Sequence, residues 1–177
     1  MIAFVSLVLL SPALLLIAIL VIISSGRPVL FHQRRVGLHK HEFELLKFRS
    51  MVHSPTNGGP WATSKNDNRI TPIGRILRRT SLDELPQIWN VLKGEMSIVG
   101  PRPDVPQQRQ LYADAEWDLR TSVRPGLTGL AQATLRSAAT PEQRKKLDLQ
   151  YVRDRSITLD LWILWQTLRQ VFFKGSY

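Results

Sequence analysis

The most hydrophobic stretch of the chain is residues 1–23, where only Ser6, Ser11 and Pro12 interrupt a run of apolar side chains. A helix of this length rises about 35 Å, which is enough to cross the hydrocarbon core of a bilayer. The stretch lacks the basic start and the small-residue cleavage site of a secretory signal peptide. The pattern therefore predicts a membrane helix.

Ser11 and Pro12 lie at the middle of this run and leave its topology open. Pro12 removes one backbone hydrogen bond, and the Ser11 hydroxyl can return one to a freed carbonyl. The helix can then cross the bilayer with at most a mild kink, or turn back as a re-entrant hairpin. The basic residues that follow it are Arg27, Arg34, Arg35 and Lys40. By the positive-inside rule, that side of the membrane is the cytoplasm.

The rest of the chain alternates short strand patterns with longer helical ones. Residues 29–33 predict a strand, 34–37 a turn, and 43–48 its hairpin partner. Helices are predicted over 72–79, 81–93, 105–120, 141–155 and 157–173, with Pro- and Gly-rich turns near 100–103 and 124–132 and a polar loop at 54–68. The fold class is therefore α+β and mostly helical.

Two adjacent carboxylates, Asp83 and Glu84, lie at the predicted start of the helix over 81–93. Ser81 and Glu84 have the spacing of a capping box, so one interpretation is simply a helix start. The other is a catalytic site, because a helix dipole and nearby arginines would keep a carboxylate ionised. An ionised carboxylate can bind Mg²⁺, act as a base or attack phosphorus.

Composition narrows the chemistry. The formal net charge of +10 predicts anionic partners, and the absence of Cys excludes disulfides, thiolate zinc sites and a cysteine nucleophile. The four histidines show no HxxxH spacing, and neither a Walker loop nor a GxGxxG motif occurs. A nucleic-acid binder would have no use for residues 1–23, so nucleic acid is not an expected partner.

Two stiff turns present arginines. Arg102 lies between Pro101 and Pro103, and Arg124 precedes Pro125. A guanidinium on a rigid backbone suits phosphate recognition, since less entropy is lost when it binds. Two functions stay open at this point. One is a membrane-bound phosphoryl-transfer enzyme, and the other is a non-catalytic, basic protein that binds membrane surfaces.

Ordered sequence blocks along nearly the whole chain carry a family resemblance. They are Ser11-Pro12, Gln33-x-Arg35-x-Gly37, residues 47–51, 78–87, 90–97, 99–103 and 124–132. In these blocks the chain resembles the bacterial sugar transferases, the monotopic phosphoglycosyl transferases that begin glycan assembly on polyprenyl phosphate. It is similar to the minimal catalytic unit of that family.

The resemblance implies a reaction and roles for residues. A phospho-sugar would pass from a nucleotide diphosphate sugar, usually a UDP-sugar, to polyprenyl (undecaprenyl) phosphate, and UMP would leave. Asp83 would be the nucleophile that forms a covalent phospho-sugar intermediate and would also contact Mg²⁺, while Glu84 assists as a base or a second metal-site group. The residues implied in substrate and phosphate binding are Lys47, Arg78, Arg102, Arg35 and Arg124.

The resemblance also implies an architecture. Ser11 and Pro12 would break a re-entrant helix at residues 1–25, and residues 26–177 would form a catalytic domain on the cytoplasmic face of the bacterial inner membrane, in contact with anionic phospholipid. Family members usually carry a basic stretch with an Asp before the apolar helix, whereas this chain begins directly with it. Sugar specificity is expected in the loops at 51–68 and 136–141.

Overall fold

The computed structural model describes residues 2–52, 67–135 and 140–173, so most of the two loops expected to set sugar specificity lies outside the described residues. The helices are α1 (Ile2–Ser25), α2 (Pro72–Thr80), α3 (Gln87–Leu92), α4 (Asp114–Arg120), α5 (Leu130–Leu135), α6 (Pro141–Asp154) and α7 (Ile157–Phe173). The strands are β1 (Leu30–Val36), β2 (Glu42–Phe48), β3 (Ser97–Val99) and β4 (Gly126–Thr128). The prediction of a mostly helical fold with little strand is confirmed.

Helix α1 runs continuously through Pro12 and is long and apolar enough to cross a membrane. Because Pro12 has no N–H, the carbonyl of Val8 lacks its usual helical donor. The Ser11 hydroxyl donates to that carbonyl at 2.8 Å, which confirms the predicted repair. Side chains in the first half of α1, such as Val8 and Leu9, are exposed.

The second half of α1 packs on the rest of the protein. Ile17 and Val21 are buried in one cluster with Phe48 of β2 and Leu77 of α2. The guanidinium of Arg49, which is itself buried, donates to the backbone carbonyls of Ser25, Gly26 and Arg27 where α1 ends. A cation at this end also opposes the partial negative charge of the helix terminus. The apolar helix is thus held at its C-terminal end.

Strands β1 and β2 form the predicted antiparallel hairpin, with Leu30 opposite Phe48 and Val36 opposite Glu42. The turn predicted over 34–37 is wrong, because β1 continues through Val36 and the chain reverses at residues 37–41. His39 and Lys40 take positive φ values of 50° and 68° there. Neither is a glycine, so the sequence carried no signal for this position.

Strands β3 and β4 pair in parallel, with Ser97 opposite Gly126 and Val99 opposite Thr128. The prediction of a simple turn over 124–132 is therefore wrong for residues 126–128, which form β4. A Cβ placed on Gly126 would lie 2.1 Å from the backbone nitrogen of Gly100, so the glycines allow the two backbones to approach. Strand β3 leads directly into the Arg102 segment, and β4 leads into α5.

The continuous helix predicted over 105–120 is also wrong. A 3₁₀ segment (Pro106–Leu111) is followed by an extended residue, Tyr112, and then by α4. Tyr112 turns inward, packs with Trp117 and Val36, and donates its hydroxyl to Asp104 at 2.8 Å. The predicted helices over 141–155 and 157–173 are confirmed as α6 and α7, which pack around the fully buried Ile163.

Candidate active site

The carboxylate pair lies in a short 3₁₀ turn, Leu82–Glu84, between α2 and α3. Ser81 ends α2 with a left-handed backbone (φ 58°) and makes no side-chain capping bond to the following turn. The predicted capping box is therefore wrong, and helix resumes only at α3, which is followed by Gly94 at φ +78°. Leu82 and Leu85 pack into the α1 cluster, which accounts for the departure from a continuous helix.

Glu84 joins two cations from distant parts of the chain. Its Oε1 accepts hydrogen bonds from Lys47 Nζ on β2 and from Arg102 Nη2, each at 2.7 Å. Burial alone would raise the pKa of Glu84, but Arg102 and Lys47 outweigh it and hold that pKa well below the ordinary range. Burial lowers the pKa of Lys47, with Glu84 opposing the change. Glu84 is therefore a stable anion that orders two cations.

Asp83 is in the opposite electrostatic situation. Its side chain is buried, and burial together with the adjacent Glu84 raises its pKa, against Lys47, Arg78 and Arg102. No residue in the described part of the chain donates a hydrogen bond to its carboxylate. The expectation that a helix dipole keeps Asp83 ionised is wrong, because α3 starts only at Gln87 and has six residues. Asp83 is thus a carboxylate with a raised pKa and no hydrogen-bond donor among the described residues.

Two further arginines lie beside the pair. Arg78 on α2 lowers the pKa of Asp83, and its buried Nη1 has no hydrogen-bond partner among the described residues. Arg35 on β1 donates to the Pro103 carbonyl at 2.8 Å and to Gln33 Oε1 at 2.6 Å. Burial and repulsion by Arg102 lower the pKa of Arg35 to about 10. Both guanidiniums therefore belong to the environment of the carboxylate pair.

Arg124 belongs to a different group. Its Nε donates to the carbonyl of Gly94 at 2.8 Å, and its side chain lines a cavity of about 560 Å³ with His39, Tyr151 and Arg155 among others. No hydrogen bond or ion pair joins it to Asp83, Glu84, Lys47 or Arg102 within residues 2–52, 67–135 and 140–173. Of the residues the sequence grouped, the structure brings together Lys47, Asp83, Glu84, Arg102, Arg78 and Arg35.

One residue that the sequence did not single out is Asn90, which is fully buried in α3. Its side chain accepts from the N–H of Leu46 at 3.1 Å and donates to the carbonyl of Glu44 at 2.8 Å, so it binds the open edge of β2. These bonds place α3 beside the strand that carries Lys47. An Asn on an apolar helix is the only local sign of such a role.

A set of buried charges behind Arg102 was also missed. Arg120 and Arg144 both donate to the backbone carbonyl of Arg102, at 2.6 and 3.0 Å. Only the i,i+4 spacing of Arg144 and Asp148 is visible in the sequence, and it is typical of an ordinary exposed helix pair.

The resemblance implied Mg²⁺, and the residues present fit it in one way. No group of three or more His, Cys, Asp or Glu side chains suited to a metal occurs in the described ranges. Mg²⁺ is commonly held by one or two carboxylates together with substrate phosphates, so such a group is not required. Asp83 has uncommitted oxygens, whereas Glu84 Oε1 already accepts from two cations. The residues present therefore fit an Mg²⁺ ion that would be held by Asp83 together with a phosphate of the substrate.

Comparison with known proteins identifies the family of this chain. Residues 1–174 match the family described as bacterial sugar transferase. The chain is 43% identical, over 95% of its length, to an undecaprenyl-phosphate glucose phosphotransferase from Komagataeibacter xylinus, of which it spans only 34%. It is 40% identical, over its full length and 85% of the relative, to the exopolysaccharide production protein ExoY of Sinorhizobium fredii. A third relative is the UDP-glucose:undecaprenyl-phosphate glucose-1-phosphate transferase of Escherichia coli. The chain is 42% identical to it and spans 37% of its length. A chain that matches the family over nearly all of its residues, and a relative of similar length over its whole extent, belongs to the bacterial sugar transferase family.

Proposed function

We propose that this protein transfers a sugar phosphate from a nucleotide diphosphate sugar, most simply a UDP-sugar, to undecaprenyl phosphate. Two of the relatives reported above, those from Komagataeibacter xylinus and Escherichia coli, are named for reactions of this class. The observation that carries the proposal is Asp83, a buried carboxylate that accepts no hydrogen bond from the described residues and lies within the electrostatic influence of Lys47, Arg78 and Arg102. The reaction would be a first membrane step of glycoconjugate or exopolysaccharide assembly.

In the proposed chemistry, an Asp83 carboxylate oxygen attacks the phosphorus that carries the sugar. A P–O bond to Asp83 forms as the P–O bond to UMP breaks, and UMP leaves with the electron pair of that bond. A phosphate oxygen of undecaprenyl phosphate then attacks the same phosphorus. The bond to Asp83 breaks, undecaprenyl diphosphate sugar forms, and the carboxylate is regenerated.

The cations have a defined part in this chemistry. Charge on the phosphate oxygens must be neutralised as the phosphoryl group moves, and guanidinium and ammonium groups held in place beforehand do this efficiently. Lys47 and Arg102 are held in place by Glu84, and Arg78 has an unpaired buried Nη1 in the described structure. When bound, Mg²⁺ would neutralise further diphosphate charge, with Asp83 as its protein ligand.

We assign Glu84 a positioning role. A general base works best with a pKa near the working pH, and the cations hold the pKa of Glu84 far below that. Its bonds to Lys47 and Arg102 support a bridging anion instead. The raised pKa of Asp83 supports the nucleophile, because a more basic carboxylate is the stronger nucleophile once it is ionised.

The membrane setting follows the same proposal. Helix α1 would enter the cytoplasmic leaflet of a bacterial inner membrane as a re-entrant helix at residues 1–25, and 26–177 would form the catalytic domain on its cytoplasmic face. The exposed apolar side chains of the first half of α1 support insertion. Basic side chains on α2, such as Arg75 and Arg79, support contact with anionic phospholipid.

The test is UMP release from a panel of UDP-sugars, with undecaprenyl phosphate and Mg²⁺ supplied. We expect the wild type to release UMP and Asp83→Asn to lose on the order of 10³-fold or more in kcat, because the nucleophile is removed. With the UDP-sugar but without undecaprenyl phosphate, the wild-type protein should gain the mass of one sugar phosphate, whereas Asp83→Asn should not. Release at the wild-type rate by Asp83→Asn would contradict the proposal and favour a non-catalytic membrane binder.

A further inference from the structure

A cluster of buried charges lies directly behind Arg102. This buried ion cluster consists of Asp104, Tyr112, Arg120, Arg144 and Asp148. Asp104 and Asp148 are completely buried, and Arg120 is 3% exposed. Arg120 pairs with Asp104 at 3.1 Å and with Asp148 at 2.9 Å, and Arg144 pairs with Asp104 at 2.5 Å. The cluster joins α4 and α6 to the segment that follows β3.

Stability alone is a poor explanation for such a cluster. Removing charges from water is costly, and well-packed apolar side chains often replace a buried ion pair with no loss of stability. A cluster of this kind has its clearest value where it fixes one geometry. Besides their own carboxylates, both guanidiniums of this cluster bind one further group.

That group is the backbone carbonyl of Arg102. Arg120 Nη2 donates to the Arg102 carbonyl at 2.6 Å, and Arg144 Nη2 donates to the same oxygen at 3.0 Å. Each guanidinium therefore links a buried carboxylate to this one carbonyl. The side chain of the same residue, Arg102, reaches Glu84 Oε1 at 2.7 Å.

The neighbouring carbonyls are held as well. The carbonyl of Pro101 accepts from the N–H of Gly126 at 2.9 Å, and that of Pro103 accepts from Arg35 at 2.8 Å. Because neither proline has an N–H, this segment has few backbone donors, and its carbonyls and side chains carry most of the bonds that fix it. Two consecutive carbonyls, those of residues 102 and 103, depend on guanidiniums from α4, α6 and β1.

We propose that Arg120 and Arg144 are positioning residues for the transfer reaction, and that they act through the Arg102 carbonyl to aim the Arg102 guanidinium at Glu84 and the substrate phosphate. The inference rests on the proposed function. Arg144 is the better probe of the two, because its removal leaves Asp104 and Asp148 still paired with Arg120.

The chain offers a matched control at the next position. Lys145 also lies on α6 and pairs with Glu116 of α4 at 3.1 Å, so it joins the same two helices. Its hydrogen bonds go to Glu116 and to the carbonyl of Leu111, and its ammonium lies 5.9 Å from the Tyr112 ring centroid, but none of these contacts reaches the Arg102 carbonyl. Lys145→Ala therefore measures what loosening α4 from α6 does by itself.

The experiment is a double-mutant cycle on kcat/KM for UMP release, with thermal midpoints measured in parallel. We expect Arg144→Ala to lower kcat/KM by roughly 10-fold, and to divide the loss between kcat and KM as Arg102→Ala does. In an Arg102→Ala background the same change should cost less than about 2-fold, since the group it positions is gone. Lys145→Ala should stay within about 2-fold of wild type.

Equal losses from Arg144→Ala in the wild-type and Arg102→Ala backgrounds would overturn the inference, as would an equal loss from Lys145→Ala. If Arg144→Ala does not fold, Arg144→Lys keeps the charge but not the fork that binds Asp104 and the carbonyl together, and it takes the same place in the cycle. Arg102→Lys replaces Arg102→Ala if the latter is inactive. A wild type that releases no UMP would overturn the proposed function and this inference with it, whereas additive losses in an active protein overturn only the inference.

Discussion

At the scale of single residues, Asp83 and Glu84 are neighbours with opposite acid–base behaviour. Burial and the Glu84 charge raise the pKa of Asp83, whereas Arg102 and Lys47 lower the pKa of Glu84 despite its burial. Pairs of carboxylates whose pKa values are pushed apart commonly have different tasks. Here Glu84 holds two cations, and Asp83, with its raised pKa, is the proposed nucleophile.

This separation predicts opposite effects on stability. A raised pKa of Asp83 on folding means that its ionised form destabilises the folded state as the pH rises through that pKa, so Asp83→Asn should raise the thermal midpoint at neutral pH. A lowered pKa of Glu84 means that its ionised form stabilises the fold at neutral pH, so Glu84→Gln should lower the midpoint. The gain from Asp83→Asn should vanish in acid, where Asp83 is protonated. Changes of the same sign at neutral pH would contradict this account.

The same charges predict the pH dependence of the reaction. In the proposed reaction Asp83 attacks in its ionised form, so its raised pKa should set the acid limb of kcat/KM above the ordinary pKa of an aspartate. Glu84→Gln removes the anion that raises this pKa and leaves Lys47 and Arg102 to lower it. The acid limb should therefore move to lower pH in Glu84→Gln, as measured in a pH profile of UMP release. A move to higher pH would show that another group controls the limb.

At the scale of elements, the position of Arg102 depends on the parallel pair β3 and β4. The backbones of Gly100 and Gly126 meet so closely that a Cβ on Gly126 would lie 2.1 Å from a backbone nitrogen and 2.4 Å from the carbonyl oxygen of Thr128. Backbone atoms cannot yield as the end of a flexible side chain can. Any side chain at position 126 must therefore separate the strands.

Gly126→Ala should consequently lower the free energy of unfolding by about 3 kcal/mol, through overpacking against backbone. Gly94→Ala is the matched control, because Gly94 has φ +78° and open space around its Cβ position. Its cost is conformational only, about 1 kcal/mol. Denaturant unfolding of both variants separates the two causes. Equal losses would mean that contact between the strands is not limiting.

At the scale of the whole molecule, the apolar helix and the carboxylate pair share one hydrophobic cluster. Helix α1 packs on α2 and α3, and its buried Ile17 and Val21 lie in the cluster that also receives Leu82 and Leu85 on either side of the pair. If α1 inserts in a membrane as proposed, a site packed on it would meet a lipid-borne phosphate without leaving the bilayer surface. This arrangement supports the proposed acceptor, undecaprenyl phosphate.

Arg49 should be essential to this attachment. Arg49→Met would leave the carbonyls of Ser25, Gly26 and Arg27 without their buried donor and should lower the free energy of unfolding by about 2–4 kcal/mol. Arg27→Met removes the same charge from an exposed side chain nearby and should change stability by less than about 0.5 kcal/mol. Thermal unfolding in detergent or nanodiscs compares them. A loss of similar size in both variants would point to net charge instead.

The re-entrant topology is testable because the chain has no cysteine. A single cysteine in an added N-terminal tag is then the only thiol, and a membrane-impermeant maleimide can report its side. We expect labelling only after the cytoplasmic side is opened, as for a cysteine placed at one of the exposed residues 39–41. Labelling of the tag in intact spheroplasts would show that α1 crosses the membrane.

Features that depend on residues close together in the chain could be predicted. The apolar run, the Ser11 bond to Val8, the β1–β2 hairpin, and the helices α6 and α7 each follow from spacing within a few residues. The family resemblance rests on short sequence blocks of this kind, and it implied roles for Asp83 and Glu84. The capping box at Ser81 failed because Leu82 and Leu85 pack against α1, which no local pattern records.

Contacts between distant residues were decided by the tertiary structure. Lys47 and Arg102 meet Glu84 across 37 and 18 positions, and Arg144 reaches the Arg102 carbonyl across 42. Local spacing cannot specify such pairs, because they form only when β2, the 3₁₀ turn, α6 and the segment after β3 pack together. The chemical groups are thus present in the chain from the start. Their opposite pKa shifts, and the guanidiniums that hold Arg102, arise only from burial and distance in the folded protein.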